Sequence, residues 1–146
     1  MKITVCASIG FYDDIVKVGK ELEEMGHEVR LPSFEVEDEK GEKISVKEFY
    51  SFRKSGGNCD NWVWERKGEE MRNHFEKIEW CEAVLVLNYE KNNIPGYIGA
   101  NTLMEMGIAF YLEKTIYLLN NIPDINYREE ILAMKPVIIN NDLREI

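Results

Sequence analysis

The chain has 146 residues, 45% of them hydrophobic and 11% aromatic, enough to bury the core of one domain spanning residues 1–146 and too apolar for a disordered chain. Its net charge of −9 argues against nucleic-acid polymers, whose binding needs clustered Lys and Arg to displace counterions. Neither a basic stretch with a following apolar run nor a window of roughly 18 apolar residues occurs, so no secretion signal and no membrane span is expected.

Cys6, Cys59 and Cys81 are odd in number and lack CxxC spacing, and two of them adjoin strand-like apolar runs. Free thiols in a reducing cytoplasm are the simplest expectation. With His27 and His74 as the two histidines, no metal cluster of the usual spacing can be drawn. Lys17, Lys20, Lys40 and Lys43 alternate with Glu and Asp, as on a solvated face.

Lys2–Ala7 reads as a buried strand that Ser8-Ile-Gly-Phe11 breaks. Asp13 or Asp14 caps a helix running to about Met25, with Ile15, Val18 and Leu22 at helical spacing, and Gly26 ends it. His27–Leu31 is the second strand, stopped by Pro32. This β-α-β start implies a right-handed crossover and a parallel sheet. Glu35–Lys43 reads as a charged loop. Helical patterns cover Val46–Arg53 and Asp60–Trp80, with Ser55-Gly-Gly57 between them. Ala83–Asn88 is an uninterrupted apolar strand of the kind covered on both faces. After the loop at Asn92–Gly96 come a helix at Asn101–Leu112, a strand at Thr115–Leu119, a short helix at Tyr127–Met134 and a last strand at Pro136–Ile139. The fold expected is an α/β three-layer sandwich of about five parallel strands, Rossmann- or flavodoxin-like.

In such sheets ligands bind beyond the C-terminal strand ends, near the point where strand order reverses. The first strand end offers Ser8, Gly10, Phe11 and Tyr12, the third Asn88 and the fourth Asn120. The first loop has neither the G-x-G-x-x-G nor the P-loop pattern, so nicotinamide and ATP chemistry get no support and no cofactor is expected. It reads equally as a plain strand-to-helix turn. Glu105 is the one carboxylate between Gly99 and Leu112, and Ile108, Ala109 and Leu112 share its helix face. A Glu on an apolar face belongs against a partner or a cleft, with a shifted pKa. The competing reading is a capping box, in which Glu105 of Thr102-Leu-Met-Glu105 returns to the Thr102 N–H. His74 shares a face with Glu70 and Ile78 and reads as packed, surface or catalytic. Trp62, Trp64, Tyr12, Tyr89 and Tyr97 suit either base stacking or a core.

Ala7-Ser-Ile-Gly-Phe-Tyr12, the strand Glu82-Ala-Val-Leu-Val-Leu87 and Gly99-Ala-Asn-Thr-Leu-Met-Glu-Met-Gly-Ile-Ala109 together resemble the nucleoside 2-deoxyribosyltransferase superfamily, which also holds 2′-deoxynucleoside 5′-monophosphate N-glycosidases. Order and spacing match over most of the chain, and Val36–Glu65 matches poorly. The resemblance implies that Glu105 is the nucleophile that forms a covalent glycosyl-enzyme. It places the sugar or 5′-phosphate grip at Gly99 and Asn101, aided by Ser8. The family's acid that assists the leaving base falls near His74, whose ordinary pKa suits proton donation; Glu82 is expected to be structural. The resemblance also implies a homodimer acting on a small nucleoside or nucleotide. A non-catalytic nucleotide sensor using the same cleft is the alternative. A flavodoxin-like carrier or phosphatase is a third, and it lacks a Cys nucleophile loop.

Overall fold

A computed structural model describes residues 1–55 and 61–146. Five strands form one sheet in the order β2-β1-β5-β6-β7, where β1 is Lys2–Cys6, β2 Glu28–Arg30, β5 Ala83–Val86, β6 Thr115–Leu118 and β7 Val137–Ile138. Every pairing in it is parallel. Counted within the sheet, this is the flavodoxin-like order, and strand order reverses between β1 and β5.

Period-two alternation divides β1 between two faces. Ile3 and Val5 join Leu85 and Leu87 under Ile15, Val18 and Leu22 of the helix α1 (Tyr12–Glu24). Cys6, with Val84 and Val86, faces the opposite layer, where α3 (Asn61–Trp80), α4 (Ala100–Tyr111) and α5 (Arg128–Ala133) contribute Ile78, Met106 and Ile131. All four residues of β5 are buried, as a strand covered on both faces requires. The three-layer α/β expectation therefore holds.

Several boundaries differ from expectation. Helix α1 starts at Tyr12, so Asp13 and Asp14 occupy its first turn rather than its cap, where they still complement the helix dipole. Gly26, at φ 93°, ends it as expected. The expected charged loop at Glu35–Lys43 contains a hairpin, β3 (Glu35–Glu37) paired antiparallel with β4 (Lys43–Ser45). Its apolar content is one inward residue per strand: Val36 is buried with Phe49 and Val63, and Ile44 packs on them. Charged or polar neighbours on both sides of each residue, Glu35 and Glu37 about Val36 and Lys43 and Ser45 about Ile44, hide the alternation. Helix α2 (Val46–Ser55) follows directly. The expected Gly56-Gly57 break and Cys59 lie outside the described residues.

Two polar ties fix α3 on the sheet. Thr4 Oγ1 donates to the Lys77 carbonyl at 2.7 Å, and Lys77 Nζ donates to the Leu31 carbonyl at 2.8 Å. Lys67, Met71, His74 and Ile78 recur at helical spacing on α3. With Ile78 in the core, His74 and Lys67 are carried one and three turns up the helix, toward the strand ends.

Candidate active site

At the reversal point of the sheet lies a cleft of about 410 Å³. Its walls are the segment after β1 (Ala7–Ile9), one face of α3, the start of α4, and α2 with the β3 strand. Among the residues expected at the site, Ser8, Gly99, Asn101, His74 and Glu105 line it.

Gly99, extended at φ −80° and ψ 171°, is the residue that caps α4. Thr102 already lies inside the helix and is buried, and Glu105 Oε1 accepts from Asn101 Nδ2 at 2.9 Å. The capping box is therefore not formed: a helix that begins at Ala100 places Glu105 in its second turn, beyond the reach of a first-turn cap. Lys67 Nζ approaches Asn101 Oδ1 at 3.4 Å, so Lys67, Asn101 and Glu105 form a short polar chain along the wall. Glu105 is 4% exposed, and its Oε2 has no hydrogen-bond partner.

His74 is 6% exposed. Its Nε2 lies 3.4 Å from Cys6 Sγ and 3.7 Å from Glu105 Oε2. Burial, with a smaller push from Lys77, lowers its pKa to about 4. Burial raises Glu105 to about 8, against the pull of the Cys6 thiol, Lys67 and Lys77. Burial, with the Glu105 charge nearby, also raises the Cys6 thiol well above its ordinary value. At neutral pH the imidazole is uncharged and the carboxyl protonated, so the 3.7 Å approach is not an ion pair. This corrects the expectation that His74 titrates near neutrality: burial leaves too little of the ring exposed to solvate an imidazolium.

Arg53, Lys54, Lys67 and Lys91 reach the cleft wall and outnumber Glu70 and Glu105 there, an excess of basic side chains in a chain of net charge −9. Lys91 Nζ donates to Ser8 Oγ at 2.7 Å and stands 5.6 Å from the Tyr97 ring centre. The charge pattern gave no sign of this wall, because its members come from three separate segments. The sequence marks Cys6 as a strand thiol, and as the last residue of β1 it stands at the strand ends beside the cleft.

Other expected site residues serve the scaffold. Phe11 packs edge-on against Tyr89, and Tyr12 against Phe34. Gly10 lies at the rim, where a Cβ would come within 3.6 Å of Lys91 Nζ. Asn88 is fully buried; its Nδ2 donates to the carbonyls of Asn120 and Asn121 at 3.0 and 3.1 Å. Its Oδ1 accepts from the Asn120 N–H at 2.8 Å, and Asn120 Nδ2 donates back to the Asn88 carbonyl. These two side chains clamp adjacent strand ends rather than lining the cleft. Glu82 Oε2 accepts from the Lys2 N–H at 2.8 Å, the structural role expected of it. Trp62 packs with Phe49 and Phe52, and of the aromatic residues considered for stacking, Tyr97 lines the cleft.

Fold and cleft together define an open parallel α/β domain with a cleft at its switch point and one buried carboxyl group, Glu105, in the wall of that cleft. Among solved structures the chain is similar to a 2-deoxyribosyltransferase of Bacillus psychrosaccharolyticus, with a TM-score of 0.53 and 16% identity over 81% of this chain and 71% of that one. It is also similar to a CMP N-glycosidase of Clostridium botulinum, BcmB, with a TM-score of 0.50 and 14% identity over 96% of this chain and 90% of that one. At such identities the likeness is one of fold, and it agrees with the resemblance read from the sequence. No family model and no curated protein sequence matches the chain.

Proposed function

We propose that this protein cleaves or transfers at the N-glycosidic bond of a (deoxy)nucleoside or nucleoside monophosphate, with Glu105 as the nucleophile. The observation that carries the reading is a buried carboxyl, Glu105, in the cleft wall, with Oε1 held by Asn101 and Oε2 approached only by the Cys6 thiol and His74. One carboxyl oxygen is thus fixed and the other left for the reacting atom. The solved structures similar in fold, a 2-deoxyribosyltransferase and a CMP N-glycosidase, support the same class of reaction.

In this mechanism the ionised Oε2 attacks the anomeric carbon. The C–N bond breaks and its electron pair leaves with the base, which takes up a proton. Water or a second base then attacks the same carbon and restores the Glu105 carboxylate, with retention overall. Lys67 and Lys77 favour the ionised form of Glu105 that the first step needs. His74, neutral at pH 7, acts as a hydrogen-bonding neighbour. Ser8, Lys91 and the start of α4 form the sugar or phosphate end of the cleft. The homodimer and the cytoplasmic setting belong to the same proposal; among the described residues no helix is long and apolar enough to cross a membrane.

The test is incubation with deoxynucleosides and their monophosphates, with free base separated by chromatography. Base release is expected from at least one of them, rising with pH between about 6 and 8 as Glu105 ionises, and Glu105→Gln should reduce it about a thousandfold or more. No release from any substrate overturns the reading. A second reading, a nucleotide sensor, is favoured by the protonated resting state of Glu105. It predicts that a nucleotide raises the melting temperature without turnover.

A further inference from the structure

Cys6, His74 and Glu105 meet from three elements that the sequence keeps far apart: the end of β1, the middle of α3 and the second turn of α4. All three residues are buried, and one ligand atom from each lies within 4.8 Å of the other two. Their contacts converge on a single nitrogen. Nε2 of His74 is 3.4 Å from the Cys6 sulfur and 3.7 Å from Glu105 Oε2, and one ring nitrogen, with one proton or one lone pair, cannot satisfy both neighbours. Oε2 is buried and meets the geometric criteria for a hydrogen bond with no neighbour, the Cys6 thiol being the one donor that approaches it, a costly arrangement for a buried polar atom.

We propose that these three side chains form a binding site for a thiophilic divalent cation of the zinc type. A cation placed among Sγ, Nε2 and Oε2 satisfies all three atoms at once. Bonds of about 2.0–2.3 Å in a tetrahedral site set neighbouring ligand atoms roughly 3.3–3.7 Å apart, and the two observed separations of 3.4 and 3.7 Å match that edge. Charge balances as well. On binding, the Cys6 thiol and the Glu105 carboxyl each release a proton to solvent, and the resulting thiolate and carboxylate neutralise a charge of +2 beside a neutral imidazole. A neutral complex avoids the large cost of an isolated buried ion. His74 and Glu105 also line the cleft, so the fourth coordination position opens on it, as in sites with three protein ligands and an exchangeable one. The spacing of histidines along the chain gave no sign of this set, since it draws a single ligand from each of three elements.

The site shares Glu105 and His74 with the glycosidic reading, and a bound cation occupies the nucleophile and silences it. The test uses chelator-treated full-length protein titrated with Zn²⁺ in competition with a chromophoric chelator. One equivalent should bind, and Cys6→Ser and His74→Ala should each weaken it roughly tenfold or more, while Cys59→Ser should bind as the parent does. In the unsubstituted protein Co²⁺ should give a sulfur-to-cobalt charge-transfer absorption with intense visible bands, a signature that needs no variant to fold. Absence of a stoichiometric equivalent, or a cobalt spectrum without the sulfur band, overturns the proposal; so does full retention of Zn²⁺ affinity in the folded Cys6→Ser and His74→Ala proteins. Because this readout needs no substrate, its failure leaves the base-release experiment intact, and failure of base release leaves this one intact.

Discussion

Burial raises the Glu105 carboxyl to about 8 and lowers the His74 imidazole to about 4, so both groups resist charge in the same small volume. The two shifts act on stability with opposite signs. Folded Glu105 keeps a proton that the unfolded chain releases above 4.5, so its contribution to stability is lost as pH rises toward 8. Folded His74 refuses a proton that the unfolded chain takes up below 6.5, so its contribution is lost as pH falls toward 4. In metal-free protein the two slopes cancel between about pH 4.5 and 6.5. Between pH 6.5 and 8 Glu105 acts alone, and stability falls with rising pH by an amount on the order of 2 kcal/mol over the window. Urea unfolding across that range should show this loss in the parent protein and a flat response in Glu105→Gln. An equal slope in both would show that Glu105 is already ionised. At this scale the sequence was informative about one residue: a single carboxylate on an apolar helix implied burial and a shifted pKa. It could not give His74 its low value, because that value comes from the layers that cover the ring.

Among the elements, the ends of β5 and β6 are joined by a clamp of four hydrogen bonds between side chains and backbone, three between Asn88 and Asn120 and one from Asn88 to the Asn121 carbonyl. Read from sequence, both residues sat where ligands bind, and the structure uses them to hold the loops that shape the cleft. Two adjacent strand ends carry backbone groups that sheet pairing leaves unmet, and a buried amide can serve both donors and acceptors. Asn88→Ala should therefore destabilise the protein by about 3 kcal/mol, from several unmet buried groups at once. A shift in the urea midpoint would measure it; an unchanged midpoint would show that the strand ends hold without the clamp. The hairpin β3–β4 was missed for a related reason. Its strands are three residues long, and periodicity over so short a run is carried by one apolar residue each.

Over the whole molecule, charge is distributed unevenly. The chain is acidic overall, yet Arg53, Lys54, Lys67 and Lys91 gather on one cleft. An acidic surface discourages polyanions, while a recessed basic wall with low-dielectric neighbours attracts a single small anion. A nucleoside monophosphate should therefore bind more tightly than its nucleoside, with an advantage that shrinks as salt rises. Lys91→Ala should weaken monophosphate binding about tenfold and leave the nucleoside nearly unchanged, since one charge-assisted hydrogen bond is lost. Calorimetric titration with the pair measures the difference, and equal losses for both ligands would move the phosphate away from Lys91.

The sequence by itself determined the α/β class, the order of the main elements and the burial of Glu105. These follow from local patterns: apolar runs for strands covered on both faces, helical spacing for α1 and α4, and Gly26 as a stop. Only the tertiary structure decided what Glu105 meets. Bringing residues 6, 74 and 105 within 4.8 Å of one another depends on β1 lying beside β5 and on α3 and α4 crossing the same face of the sheet. No local pattern encodes that crossing, because it is set by how three distant segments bury their apolar faces together. Protonation states follow from the same burial, and so they too belong to the folded molecule rather than to the sequence pattern.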